Sequence, residues 1–103
     1  MRKYRLHIRP LAEADLDGHA AHIAQDNLEA GLMLYDRAAE TYEMLRHMPQ
    51  IGVIYHTTRP ELMGLRYVPI KVFSRYLVFY KVTDETVDII RVLHARMDKD
   101  GWL

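Results

Sequence analysis

Hydrophobic and polar positions alternate strictly from Tyr4 to Arg9. Tyr4, Leu6 and Ile8 fall on one face and Arg5, His7 and Arg9 on the other, which predicts a half-buried strand. Pro10 cannot extend a ladder and suits the first turn of a helix. From there Ala12, Leu16, Ala20 and Ile23 recur at helical spacing. Glu13, Asp15 and Asp17 lie in the early turns, where the helix dipole favours carboxylates. Gly18 weakens this helix by about 1 kcal/mol relative to alanine. Asp26 and Glu29 stand at capping-box spacing and predict a second start. Leu28, Tyr35, Ala38, Tyr42 and Leu45 then form the stripe of a second helix that ends before Pro49. A short turn between the two implies an antiparallel hairpin.

The stretch from Ile51 through Leu62 has no clear period and reads as a loop. Three strands follow: Leu65 to Val72, with Pro69 marking an edge or a bulge, Arg75 to Val82, and Val87 to Leu93. Thr83-Asp84-Glu85-Thr86 turns the chain between the last two. The order β-α-α-β-β-β predicts one α+β domain over residues 1–103, with a helical hairpin on one face of an antiparallel sheet. At 103 residues the chain is long enough to bury a core without staples.

Charge adds an asymmetry to this outline. The formal net charge is zero, yet Pro10 to Leu45 carries eight acidic residues and one basic residue, Arg37. Basic residues dominate on both sides, beginning with Arg2, Lys3, Arg5 and Arg9. An acidic hairpin beside a basic sheet presents two faces of opposite potential, suited to different partners or merely the solvated side of two helices. No apolar run reaches the roughly 20 residues of a membrane helix, and no signal-like stretch follows the basic N-terminus, so a non-exported, cytoplasmic domain is expected.

Candidate chemistry is narrow. Without cysteine there is no disulfide, thiolate site or cysteine nucleophile. His19 and His22 share a helix but lack a third ligand, so no metal is expected. The five glycines are dispersed and form no phosphate loop, Ser74 is the only serine, and no cofactor is expected. The remaining set is basic and lies on the strands: Arg66, Lys71, Arg75, Arg91, His94 and Arg96. Cations for a scissile phosphate together with an acid or base are what metal-free RNA cleavage requires. Arg91 and His94 are three apart, however, and face opposite ways in a regular strand. Structural or partner-pairing arginines are the simpler reading.

Several segments, in order, resemble the ParE branch of the ParE/RelE toxins. Ala12 through Asp17 followed by His22-Ile23-Ala24 is similar to the "A-x-x-D-L…Y-I-A" opening of that family. Pro49-Gln50-Ile51-Gly52 matches its proline-x-x-glycine, and Gly64 to Ile70 resembles its next strand. Arg75 to Val82 is similar to "R-Y-L-I-F-Y-R-V", and Arg91 to Asp98 to "R-x-L-H-x-R-M-D". Two departures stand out: Gly18-His19-Ala20 replaces a large apolar residue in the first helix, and Val53 to Arg59 is unusually apolar.

The resemblance implies a type II toxin, of the kind linked to plasmid stabilisation, neutralised by a ParD-like antitoxin in a hetero-oligomer. DNA gyrase is its implied target, DNA being met only through the antitoxin. The alternative is a RelE-like mRNA endoribonuclease using Arg66, Arg75 and His94. The Met97-Asp98 ending favours the non-catalytic branch, since a carboxylate beside a scissile phosphate is unhelpful. Expected target contacts are Arg91, His94, Arg96, Met97, Asp98 and Trp102, the last as an aromatic anchor or as a lid folded back over the core. Expected antitoxin contacts are Leu32, Met33 and Met44, apolar residues beyond the core stripe of the hairpin.

Overall fold

The computed structural model describes residues 3–103, so Met1 and Arg2 of the basic N-terminus lie outside the described residues. The elements run β1 (Arg5–Ile8), α1 (Pro10–Ala24), α2 (Leu28–His47), β2 (Val53–Ile54), a 3-10 turn (Pro60–Leu62), β3 (Arg66–Pro69), β4 (Tyr76–Thr83), β5 (Thr86–His94) and α3 (Lys99–Trp102). The expected α+β order holds, and three short elements, β2, the 3-10 turn and α3, join it. Strand order in the sheet is β1-β5-β4-β3-β2.

The sheet is mixed rather than antiparallel throughout, because β1 pairs with β5 in parallel, Arg5 opposite Thr86 through Ile8 opposite Ile89. The α1–α2 hairpin returns the chain so that β1 reaches the last strand instead of the next one. The loop expected from Ile51 also contributes, since Val53 and Ile54 pair with Tyr67 and Arg66. Beyond that two-residue strand β3 is an edge, and Pro69 sits on this uncovered stretch. Asp84, in the left-handed region at φ 52°, and Glu85 make the tight turn between β4 and β5.

One face of the sheet buries Val68, Tyr76, Val78, Tyr80, Val87, Ile89 and Val92 against Ala12, Leu16 and Ala20 of α1 and Leu34, Ala38 and Leu45 of α2. At Gly31 a side chain would collide with the carbonyl oxygen of Ala20 and with Ala24, so the helices approach closely only because that position is bare. Two details of α2 correct the sequence reading. Its N-cap is Asn27, whose side chain accepts from Ala30 N at 3.0 Å, and not Asp26. Leu28 and Tyr35 are exposed; Gly31, Leu34 and Thr41 take their places on the buried stripe.

The opposite face holds a smaller cluster, Leu62, Leu65, Phe79 and Leu93, roofed by Tyr55, Met97 and Leu103. The apolar 53–59 segment therefore begins as sheet edge and continues as cover for this cluster. Tyr80 ties the loop after α2 to the sheet: its hydroxyl accepts from Gly52 N at 2.8 Å and donates to Pro49 O at 2.9 Å. The proline-x-x-glycine is thus a clasp around one buried phenol.

Candidate functional site

A bulge in β5 sets the geometry of the C-terminal end. Tyr80 pairs with Ile89 but Phe79 pairs with Arg91, so Ile90 is an extra residue. Strict alternation from Val87 and Ile89 would turn Arg91 into the hairpin core. The inserted residue sends Val92 there instead and leaves Arg91 at the strand margin.

Beyond Ile89 β5 has no neighbour on the β1 side, because β1 ends at Ile8. Two side chains one turn apart on α1 take the strand's place. Asp15 Oδ2 accepts from Val92 N at 3.0 Å, and His19 Nε2 lies 2.7 Å from Val92 O. A carbonyl only accepts, so the His19 proton is on Nε2. Asp15 also receives Arg91 in a two-bond fork, Nε at 2.7 Å and NH2 at 2.8 Å. Both side chains are largely shielded, and the carboxylate's hydrogen bond holds the Arg91 pKa above its ordinary value against the opposing effect of burial.

Arg91 then reaches the tail. NH1 donates to Trp102 O at 2.7 Å, and the guanidinium lies 5.7 Å from the centre of the indole. Trp102 itself is 52% exposed. Asp98 caps α3 by accepting from Gly101 N, Asp100 accepts from the Tyr55 hydroxyl, and Arg59 NH1 donates to Asp100 O at 2.9 Å. The Met97 sulfur accepts from His94 N, and His94 Nδ1 accepts from Arg96 N at 3.1 Å. Of the six expected target contacts, Arg96, Asp98 and Trp102 lie at the surface, His94 and Met97 are half-buried, and Arg91 is a strut beneath them.

The three residues of the alternative set do not converge. Arg66 pairs with Tyr80 and spends NH1 on Gly52 O at 2.8 Å and Gln50 O at 3.1 Å. His94 pairs with Tyr76, four residues along β4, a separation of about 13 Å at the usual strand rise. Arg75 lies at the His94 end, where Ala95 N donates to its carbonyl at 2.7 Å. His94 titrates below the ordinary imidazole range because burial, then the charges of Arg96, His19, Arg75 and His22, oppose its protonation. Among the described residues no three histidines or carboxylates group as metal ligands.

The expected antitoxin contacts divide between two surfaces. Leu32 lines a groove of about 200 Å³ between the helices, floored by Ala20, Ala24 and Gly31 and flanked by Leu28 and Tyr35. The Tyr35 hydroxyl donates to Asp17 at 2.6 Å and closes one side. Met33 is exposed but does not line this groove, and Met44 lines another of about 420 Å³ with Ile51, Val53, Tyr67 and Val72. Sequence reasoning missed Asp15 and Tyr35. Asp15 borders the Ala12–Leu16 stripe, where a carboxylate meets the core rim, and that position was the available signal.

A helical hairpin across a mixed sheet, with side chains of the first helix completing the last strand, defines a toxin-like α+β fold. A chain of the "Chromosomal ParDE TA system from P. aeruginosa" shares it, with a TM-score of 0.71 at 19% identity over 89% of this chain and 96% of that one. The family model for the ParE toxin of type II toxin-antitoxin system, parDE, matches residues 6–99, and the chain belongs to that family. No curated protein matches its sequence. No helix among the described residues is long and apolar enough to cross a membrane.

Proposed function

We infer that the chain acts in the cytoplasm by occupying DNA gyrase, without a cofactor, metal or covalent chemistry. A ParD-like antitoxin neutralises it in a hetero-oligomer, and through that antitoxin alone it meets DNA. The observation that carries this reading is the mounting of Trp102. A half-exposed indole is held by Arg91, which is itself fixed by Asp15, so the tail presents an aromatic anchor with little ordering left to do on contact. RNA cleavage gains no comparable support, because Arg66 is committed to two loop carbonyls far from Arg75 and His94.

The test is a supercoiling assay with purified gyrase and the full chain. Inhibition is expected, and Trp102→Ala should weaken it by about tenfold or more, a common cost at a hot spot. Deleting residues 98–103 is a poorer probe, since it also removes the bonds of Asp100 to Tyr55 and Arg59. Uninhibited gyrase together with cleaved transcripts on induction would sink the proposal.

A further inference from the structure

We propose that the corner where α1 meets the end of β5 binds carboxylate groups of the target protein, through the guanidiniums of Arg75 and Arg96 and the imidazole of His94. This deepens the reading above by giving a chemistry to the start of the tail. Arg75 stands opposite Ala95, so it lies in register between His94 and Arg96. The His94 ring meets Tyr76 edge-on at 5.1 Å, and Tyr76 meets His19 of α1 at 4.7 Å. Four basic groups, Arg96, His19, Arg75 and His22, act together on His94.

The corner gathers guanidiniums that no carboxylate answers. Arg9, Arg37, Arg46, Arg59 and Arg91 each pair with a carboxylate of the chain. Among the described residues neither Arg75 nor Arg96 does, and both are exposed. His94 adds a directed donor. Because Nδ1 accepts from Arg96 N, the neutral ring carries its proton on Nε2. Two planar forks beside a neutral donor offer the charge-assisted hydrogen bonds that carboxylates accept.

Charge density favours a protein over a nucleic acid. A phosphate backbone needs a track of permanent cations. Here three are permanent, Arg75, Arg96 and Lys99, whose Nζ donates to Ala95 O at 2.7 Å, and α1 carries Glu13, Asp15 and Asp17 on the turns before His19. A few carboxylates on a surface loop need no such track. The corner runs directly into Met97, Asp98 and α3, so whatever Trp102 touches lies beside it.

The experiment is an NMR titration of the labelled full chain with a blocked hexaglutamate peptide, its glutamine counterpart, inorganic phosphate and a short single-stranded oligonucleotide. Hexaglutamate should shift the signals of His94, Arg75 and Arg96 and raise the His94 pKa. Arg75→Gln with Arg96→Gln, both at exposed positions, should weaken that binding about tenfold or more while leaving the spectrum folded. Equal binding of the glutamine peptide, no response at the corner, or tighter binding of phosphate or the oligonucleotide would overturn the proposal. In the supercoiling assay the same double variant should lose inhibition; full inhibition would overturn the assignment to the target. If the native chain leaves gyrase untouched, the Trp102 reading fails by itself, and the peptide titration still decides the corner.

Discussion

Asp15 on α1 holds Arg91 on β5 through two hydrogen bonds of 2.7 and 2.8 Å, and the same carboxylate accepts the backbone N–H of Val92. One side chain thus satisfies a charge, closes a strand edge and supports the tail. Removing it strands a shielded guanidinium and a backbone donor. Asp15→Ala should cost about 3–5 kcal/mol in urea unfolding, the usual range for breaking a buried pair. Asp15→Asn keeps an acceptor and should cost less. Trp102 fluorescence should change in Asp15→Ala, because the guanidinium beneath the ring loses its anchor on α1.

Tyr80 offers a second test. Tyr80→Phe leaves Gly52 N and Pro49 O without their partner in a buried place. The expected loss is about 1–3 kcal/mol, well above that of a surface hydroxyl. Gly52→Ala should be at least as damaging, since its new methyl would collide with the Tyr80 ring and hydroxyl. Thermal melts of the two single variants and the double variant would show strong non-additivity.

The His94 environment predicts a pH dependence. The folded chain holds this imidazole below its ordinary pKa, by burial first and neighbouring charge second. The unfolded chain takes up the proton near pH 6.5. Between that pH and the lower folded value the unfolded state binds more protons, so stability is full above about pH 6.5 and declines as the pH falls below it. His94→Asn, which keeps an acceptor for Arg96 N, should flatten the decline in urea midpoints measured from pH 7 to pH 5. An unchanged slope would remove His94 as its source.

Leu32 lies 60% exposed in the inter-helix groove, whereas Met44 belongs to a separate one. If an antitoxin segment packs between the helices, Leu32→Glu should weaken its binding by about a hundredfold in calorimetry, with the melting temperature almost unchanged. Met44→Ala measured alongside should be additive with it if one antitoxin chain spans both grooves. A silent Leu32→Glu would move the antitoxin elsewhere.

Much of this architecture was legible because side-chain period reports local structure. The alternation at Tyr4–Arg9 and the stripe at Ala12, Leu16 and Ala20 located β1 and α1. The parallel pairing of β1 with β5 was not legible, since no local pattern encodes which distant strand a segment joins. Val53–Ile54 was too short to leave a period, and the bulge at Ile90 hides in a run that reads as regular strand. At α2, Asp26 and Asn27 are adjacent and both are good caps, so composition alone could not choose. The tail residues were found by resemblance, but their support was not: Asp15 is 76 positions from Arg91.

That same distance bears on the order in which the molecule is made. β1 is made before β5, yet among the described residues β5 is its strand partner. The N-terminal strand must therefore wait while the hairpin and the β3–β4–β5 meander take shape. Contacts of such separation slow the final step of folding, because the loop entropy is lost before the pairing is gained. Until then the Ile8–Ile89 edge stands open and neither Asp15 nor Arg91 has its partner. Until β5 is made a nascent chain thus lacks the strut under Trp102, a window in which a partner would meet the hairpin before any finished tail.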